Sequence, residues 1–446
     1  MNWRVLWAGI LCFWLGWMPW AWGFCGFFVA QADAQLFNNS SQVVIARQGT
    51  RTVVTLANDY QGDVRDFALV VPVPTVINQD QVRLGDRQAM QRLDSFSAPR
   101  LVEYFDNNPC QVGKDRGHPL PAAANLPRST VRPQQVVGVT IEAQFAVGEY
   151  DIVVLSAQES ASLERWLRAN RYRIPEQAQK LLQPYIRQGM KFFVAKVNLK
   201  ELEKSESQLL RPLLVAYDSP KFMLPIRLGM ANSPGEQDVI VYLLSPRGRA
   251  EVTNYRTVRI PSNIELPVAI KPNFGVFYQT MFNYNHRQEG RKAVWLEYAW
   301  DMGWCDPCAA NPLTGEELEK LGVFWLDGQE QARAPQGTNV YLTRLHLRTS
   351  AATFPEDLKF QETSNRENFQ GRYILRHAYK GTIDCPDGFE YQQMVNRRQE
   401  EALRNLIRIT GWSPTEAELQ LNPDAEVTPT QPWWRRVIPA PTPTPN

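Results

Sequence analysis

"KFFVAKVNL" (191–199), "LLVAYDS" (213–219), "FMLPIRLGM" (222–230), "DVIVYLLSP" (238–246) and "AEVTNYRTVRI" (250–260) follow one another along the chain. Each is a short run of β-branched and aromatic side chains, the types that pack on a pleated, half-buried surface, and each is bounded by Pro, Gly, Ser or Asp. Five such runs at spacings of roughly ten residues predict a β-sandwich or meander rather than a helical bundle. Upstream, Val43 to Ile45 and Val53 to Leu56 flank Gln48-Gly49, a hairpin signal. "DFALVVPVP" (66–74) reads as a further strand that Pro72 and Pro74 either confine to an edge or end. Strands resume at Val136 to Ala146 and Tyr150 to Leu155, and the Pro- and Gly-rich stretch Cys110 to Pro133 between them reads as a long loop.

A helical pair is set into this strand pattern. Ser156 and Glu159 have the spacing of a capping box before Leu163, Trp166 and Leu167, and a second helix is expected from Pro175 to Gly189. Beyond residue 272 the pattern is mixed. Phe274 to Tyr284 reads as helix and "KAVWLEYAW" (292–300) as strand, and Thr314 with Glu317 caps a short helix. "TNVYLTRLHLR" (338–348) alternates so that Val340, Leu342, Leu345 and Leu347 share a face only if a bulge shifts the register. An amphipathic helix closes at Gly411, and one more is capped by Ser413. The expected fold class is α+β and β-rich: short-stranded, sandwich-like sheets, an inserted helical pair and a mixed C-terminal part. The expected divisions are a leader at 1–23, β-rich 24–156, helical pair and strands 157–272, mixed 273–412 and a Pro-rich tail 413–446.

The chain has 446 residues, 44% of them hydrophobic, and its 48 basic and 46 acidic side chains nearly cancel to +2. There is no long run of one sign, which argues against a nucleic-acid partner. The N-terminus, "MNWRVLWAGILCFWLGWMPWAWGFCGFF" (1–28), has an early cation at Arg4, an apolar core from Val5 to Trp17 and Pro19 as a breaker. That is the anatomy of a secretory signal, with cleavage expected between Gly23 and Phe24. A second A-x-A pattern stands at Ala32 to Ala34, and an uncleaved anchor running on to Ala30 is the alternative. Either reading places the body of the protein outside the cytoplasm, secreted, periplasmic or in the cell envelope, where thiols tend to pair. Its partner there is unknown. The membrane contact the sequence suggests is a weak one, through the N-terminus or through Trp433 to Arg436, where aromatics stand beside cations.

Five cysteines follow the leader: Cys25, Cys110, Cys305, Cys308 and Cys385. Cys305 and Cys308 sit in "DMGWCDPCAANPLTG" (301–315), which has the local look of a thioredoxin active site. That chemistry needs a helix N-terminus directly after the first thiol to lower its pKa, and Pro312 and Gly315 interrupt any helix there. A metal site would need Cys385 as third ligand and His346 or His377 as fourth. The remaining reading is structural, with Cys305 bridged to Cys308 or one of the two tied to Cys385. Glu362 and Glu367 could line a hydrolytic cleft, although acids in a polar segment are usually solvated. No cofactor is implied, and no catalytic residue is assigned. The leading reading is thus a disulfide-containing binding or structural protein. A thiol-disulfide oxidoreductase using Cys305 and Cys308 is second, and a carboxylate-dependent hydrolase third.

The blocks "CGFF" (25–28), "QVVIARQGTRTVVTLANDYQGDVRDFALVVPVP" (42–74), "WLRANRYRIP" (166–175), "YIRQGMKFFVAKV" (185–197), "FMLPIRLGM" and "WCDPC" (304–308) resemble the secreted bacterial proteins of domain of unknown function 2330. The likeness is expected to run from Cys25 to Gly411. It implies an extracytoplasmic bacterial protein without assigned activity, cofactor or catalytic residues, whose CxxC belongs to the body of the fold and whose mature chain begins at Phe24 or Cys25.

Overall fold

The structure is a computed structural model and describes residues 27–30, 40–57, 67–110, 140–169, 178–203, 210–229, 235–304, 306, 311–326 and 338–422. Among these the strands form four sheets. A five-stranded sheet runs in the order β1 (Phe27–Ala30), β4 (Phe67–Val73), β9 (Lys191–Val197), β8 (Tyr150–Ser156) and β7 (Thr140–Val147). The largest sheet runs β14 (Thr257–Arg259), β16 (Val294–Asp301), β17 (Tyr341–Thr349), β12 (Gln237–Ser245), β2 (Ser40–Gln48), β3 (Arg51–Leu56), β10 (Leu213–Asp218) and β5 (Val82–Leu84), with β19 (Phe369–Gln370) also on β16. Two small sheets complete the set. One holds β11 (Met223–Leu224), β18 (Leu358–Glu362) and β13 (Ala250–Val252); the other holds β15 (Ile264–Leu266), β20 (Arg372–His377) and β6 (Arg100–Phe105).

Adjacent residues of a strand point to opposite faces, so a run in which every residue is buried marks a sheet covered on both sides. Val43, Val44, Ile45 and Ala46 are such a run. Val43 and Ile45 pack with Leu69, Ile152 and Phe193 of the five-stranded sheet, giving a sandwich core. Val44 and Ala46 pack the other way, with Leu93 and Phe96 of α1 (Arg87–Ser97) and Leu318 of α6 (Gly315–Lys320). The helical pair, α2 (Ser160–Ala169) and α3 (Ala178–Arg187), covers the outer face of the five-stranded sheet through Leu163, Leu167, Leu182 and Tyr185. The order is therefore helices, sheet, sheet, helices. Beside α1, helix α5 (Phe274–Gln288) and the long α7 (Gly388–Thr410) pack with Trp295, Tyr373 and Leu375. The chain is completed by α4 (Leu199–Glu203) and α8 (Pro414–Leu421), the latter capped by Ser413.

The expected α+β, β-rich class is what the structure shows, and four local readings change. The five runs between residues 191 and 260 all contain strands, but they are no meander: β9 joins one sheet, β10, β12 and β14 another, and β11 and β13 a third. Ser156 does not open a helix. It ends β8, its Oγ donates to Glu142, and α2 starts at Ser160. β17 pairs with β12 without any bulge, so Leu342 and Leu345 lie on opposite faces, each against a different core. The bulge is in the neighbouring strand: Leu296 opposes Leu345 and Tyr298 opposes Arg344, leaving Glu297 as the extra residue. Finally, β4 is not an edge strand throughout: β1 covers Phe67 to Val70, among the described residues Pro72 pairs with Phe192 of β9, and the strand ends at Val73, before Pro74. The predicted hairpin at Gln48 is present, with Gly49 at φ 64° in its turn.

Candidate functional site

Two of the five candidate cysteines lie among the described residues, and they are bonded to each other. Cys110, just after β6, and Cys385, just before α7, form a disulfide with Cα atoms 5.6 Å apart, the two residues standing 275 positions apart in sequence. The sulfur of Cys385 is therefore not joined to Cys305 or Cys308, and the metal set built on Cys385 is not assembled. Cys25, Cys305 and Cys308 lie outside the described residues, as do the leader, most of the loop 110–133 and the tail segment Trp433 to Arg436. The flank of the CxxC is described. Asn311 to Leu313 is non-helical, Thr314 caps through its Oγ and Glu317, and α6 begins only at Gly315.

The histidines weighed as metal ligands have other roles. His377 Nε2 is 2.8 Å from Glu103 Oε2, and its ring stacks on Phe105. His346 belongs to a buried ionic cluster that the sequence reading missed. On β17, Arg344, His346 and Arg348 share one face, two residues apart, and that face lies against α1 and α5. The bulge at Glu297 turns its carboxylate into this layer, where only 1% of the residue is exposed. Arg344 Nε donates to Glu297 Oε2 at 2.6 Å, His346 Nδ1 lies 2.7 Å from Oε1, and Tyr278 of α5 also donates to it. Arg344 reaches on to Asp94 of α1 at 2.7 Å, and Asp94 accepts from Tyr242 at 2.6 Å. On the other side His346 Nε2 faces Asp238 at 3.4 Å, which Arg348 grips through two nitrogens at 2.7 and 2.9 Å. Phe282 stacks on His346 with ring centres 4.0 Å apart.

Burial opposes ionisation of Glu297, yet the cations His346 and Arg344 outweigh it and hold the carboxyl down at about 2. Burial likewise disfavours the His346 cation, but Glu297 and Asp238 prevail and raise it to about 8. His286, one turn along α5 and buried beside Phe282, has no hydrogen-bond partner for either ring nitrogen among the described residues, and burial lowers it to about 4. His346 is thus an imidazolium with both ring nitrogens donating. A general base needs a free nitrogen lone pair, so this cluster is built to hold α1 and α5 on the sheet rather than to move a proton. Glu362 and Glu367 do not act as a pair either: Ser245 donates to Glu362 at 2.7 Å, and Arg259 to Glu367 at 2.5 Å.

An open cleft of about 260 Å³ lies on the same side of the large sheet. Its floor is Val53 of β3 with Leu214 and Ala216 of β10. One wall is Asp80, Gln81 and Arg83 at the start of β5, pinned by Gln81 Nε2 donating to Ala216 O at 2.9 Å. The other is Glu319 and the turn Gly322 to Leu326 that follows α6. Gly322 sits at φ 98°, and a Cβ there would come within 2.6 Å of Val53 Cγ1, so only glycine lets this turn seat against β3.

The model of a bacterial family described as uncharacterized protein conserved in bacteria (DUF2330) matches residues 19–361. The chain belongs to this family. No curated protein and no solved structure matches it. The DUF2330 match stops within β18, short of the expected Gly411, so β19, β20, α7 and α8 lie beyond it. The Cys110–Cys385 bridge therefore ties the DUF2330 region to the part that follows it.

Proposed function

We propose that this DUF2330 protein is an extracytoplasmic binding or structural protein whose scaffold is held by disulfides, and that its CxxC is structural. The Cys110–Cys385 bridge carries the reading, because a bond of that kind forms and persists in an oxidising compartment. The N-terminal strand supports the expected cleavage site. β1 begins at Phe27, so processing after Gly23 retains it, whereas processing after Ala34 would delete it and uncover β4. Its pairing with β4 also speaks against an anchor that runs on to Ala30. Against the oxidoreductase reading stands the sequence after Cys305, where Pro312 breaks a helix, and the first helix among the described residues that follow starts only at Gly315.

Peptide mapping of the unreduced protein, produced with its own leader in a bacterial host and recovered by fractionation, tests this. The expected result is an extracytoplasmic chain that begins at Phe24 and yields a peptide linking Cys110 to Cys385. A cytoplasmic chain with both thiols open to alkylation refutes it. Catalysed insulin reduction that is lost on Cys305→Ser would establish the oxidoreductase instead.

A further inference from the structure

The cleft between the start of β5 and the α6 turn has the features of a small-ligand site. Its floor and inner wall are apolar, with Val53 and Leu326 each only 8% exposed. The ring of Phe324 closes one side and stays 36% exposed, held edge-on by Trp325 at 5.1 Å, whose Nε1 donates to Asn339 O at 2.9 Å. At the mouth stand two guanidinium groups. Among the described residues Arg83 has no hydrogen bond or ion pair from its side chain. Arg51 lies over the Phe324 ring at 5.8 Å, and Asp218 meets it only at 3.7 Å with both groups more than half exposed. An apolar bed with a few convergent polar groups is how small-molecule sites are made, and guanidinium forks match carboxylates two bonds at a time. The volume is just below the usual range for drug-sized ligands, so the occupant is smaller than those.

We propose that this cleft binds a small carboxylate with an aromatic body, its ring on Phe324 and its carboxylate on Arg83 and Arg51. The inference deepens the binding reading above and rests on it. Asp80, on the same wall as Arg83 and likewise without a side-chain partner among the described residues, sets a limit on the ligand: a second acidic group near that wall would be repelled.

The test uses the full folded chain with 3-(4-fluorophenyl)propionate and its neutral amide, followed by ligand-observed fluorine NMR. A ligand of this size saturates with a dissociation constant on the order of 1 mM. The expected result is that the amide binds at least tenfold more weakly than the acid, and that Arg83→Gln and Phe324→Ala each weaken the acid by about tenfold. Melting temperatures of both variants within about 2 °C of the wild type exclude unfolding as the cause. Equal binding of acid and amide, wild-type affinity in Arg83→Gln, or displacement by inorganic phosphate at the same concentration each overturns the proposal. Peptide mapping of the same sample separates the two readings. A linked Cys110–Cys385 peptide with no binding overturns the cleft alone, and free thiols overturn the scaffold reading whatever the cleft does.

Discussion

The charge of His346 makes the stability of this fold depend on pH through the neutral range. In the unfolded chain a histidine titrates at 6.5, and in the fold Glu297 and Asp238 raise His346 to about 8. A folded-state value above the unfolded one means that the imidazolium stabilises fully below pH 6.5, and that this contribution is lost as pH rises through 8. Each tenfold gain in proton affinity on folding corresponds to about 1.4 kcal/mol, so the loss between about pH 6 and about pH 9 is on the order of 2 kcal/mol. Replacing His346 by Gln keeps a hydrogen-bonding side chain that cannot titrate. Urea unfolding, followed by tryptophan fluorescence at both pH values with the disulfide intact, gives the slope for each protein. The wild type should lose about 2 kcal/mol more than the variant across the window. Parallel slopes for the two proteins would mean that folding does not raise the proton affinity of His346, and the description of the cluster as a structural cation between two carboxylates would fail.

Two further outcomes follow from single features. Changing Cys110 and Cys385 together to Ser should lower stability by about 2 to 5 kcal/mol in denaturant titration, because the bridge closes a very long loop; an unchanged midpoint would show that the bridge adds nothing. Gly248→Ala should cost about 2 to 3 kcal/mol, read as a lowered melting temperature. Gly248 sits at φ 150° and an added Cβ would lie 2.6 Å from Asn365 O and 2.8 Å from Thr363 O, both backbone atoms.

The strands were legible because their side chains satisfy a local rule: "LLVAYDS" and "DVIVYLLSP" read as strand wherever the chain places them. Which strands pair was not legible. β12 lies parallel to β2, some two hundred residues away, and nothing local to either specifies that neighbour. The Ser156 reading failed because a Ser three positions before a Glu has the same pattern whether it opens a helix or, as here, closes a strand with its hydroxyl on Glu142. The bulge expected in β17 rested on the assumption that one face is solvated; with both faces covered, apolar residues of both parities are buried. That assumption also hid the ionic cluster. A half-buried strand leaves Arg344, His346 and Arg348 no buried partner to look for, although Glu297 in the middle of the apolar run "KAVWLEYAW" was a signal that an acid would need a buried cation. After the CxxC the local pattern was informative in part: Thr314 and Glu317 predicted a capped short helix and α6 is that helix, but Gly315, read as an interruption, is its first residue.

The Cys110–Cys385 bond closes a covalent ring that contains most of the polypeptide, from the end of β6 to the start of α7. A protease that cuts any one peptide bond inside that ring opens it without dividing the molecule. The two pieces stay joined through sulfur, and strands on either side of the cut remain next to the partners they already have. A nicked chain would then migrate as one species on a gel run without reductant and as two once reductant is added. Wherever such a chain meets a protease, that topology separates being cut from being lost.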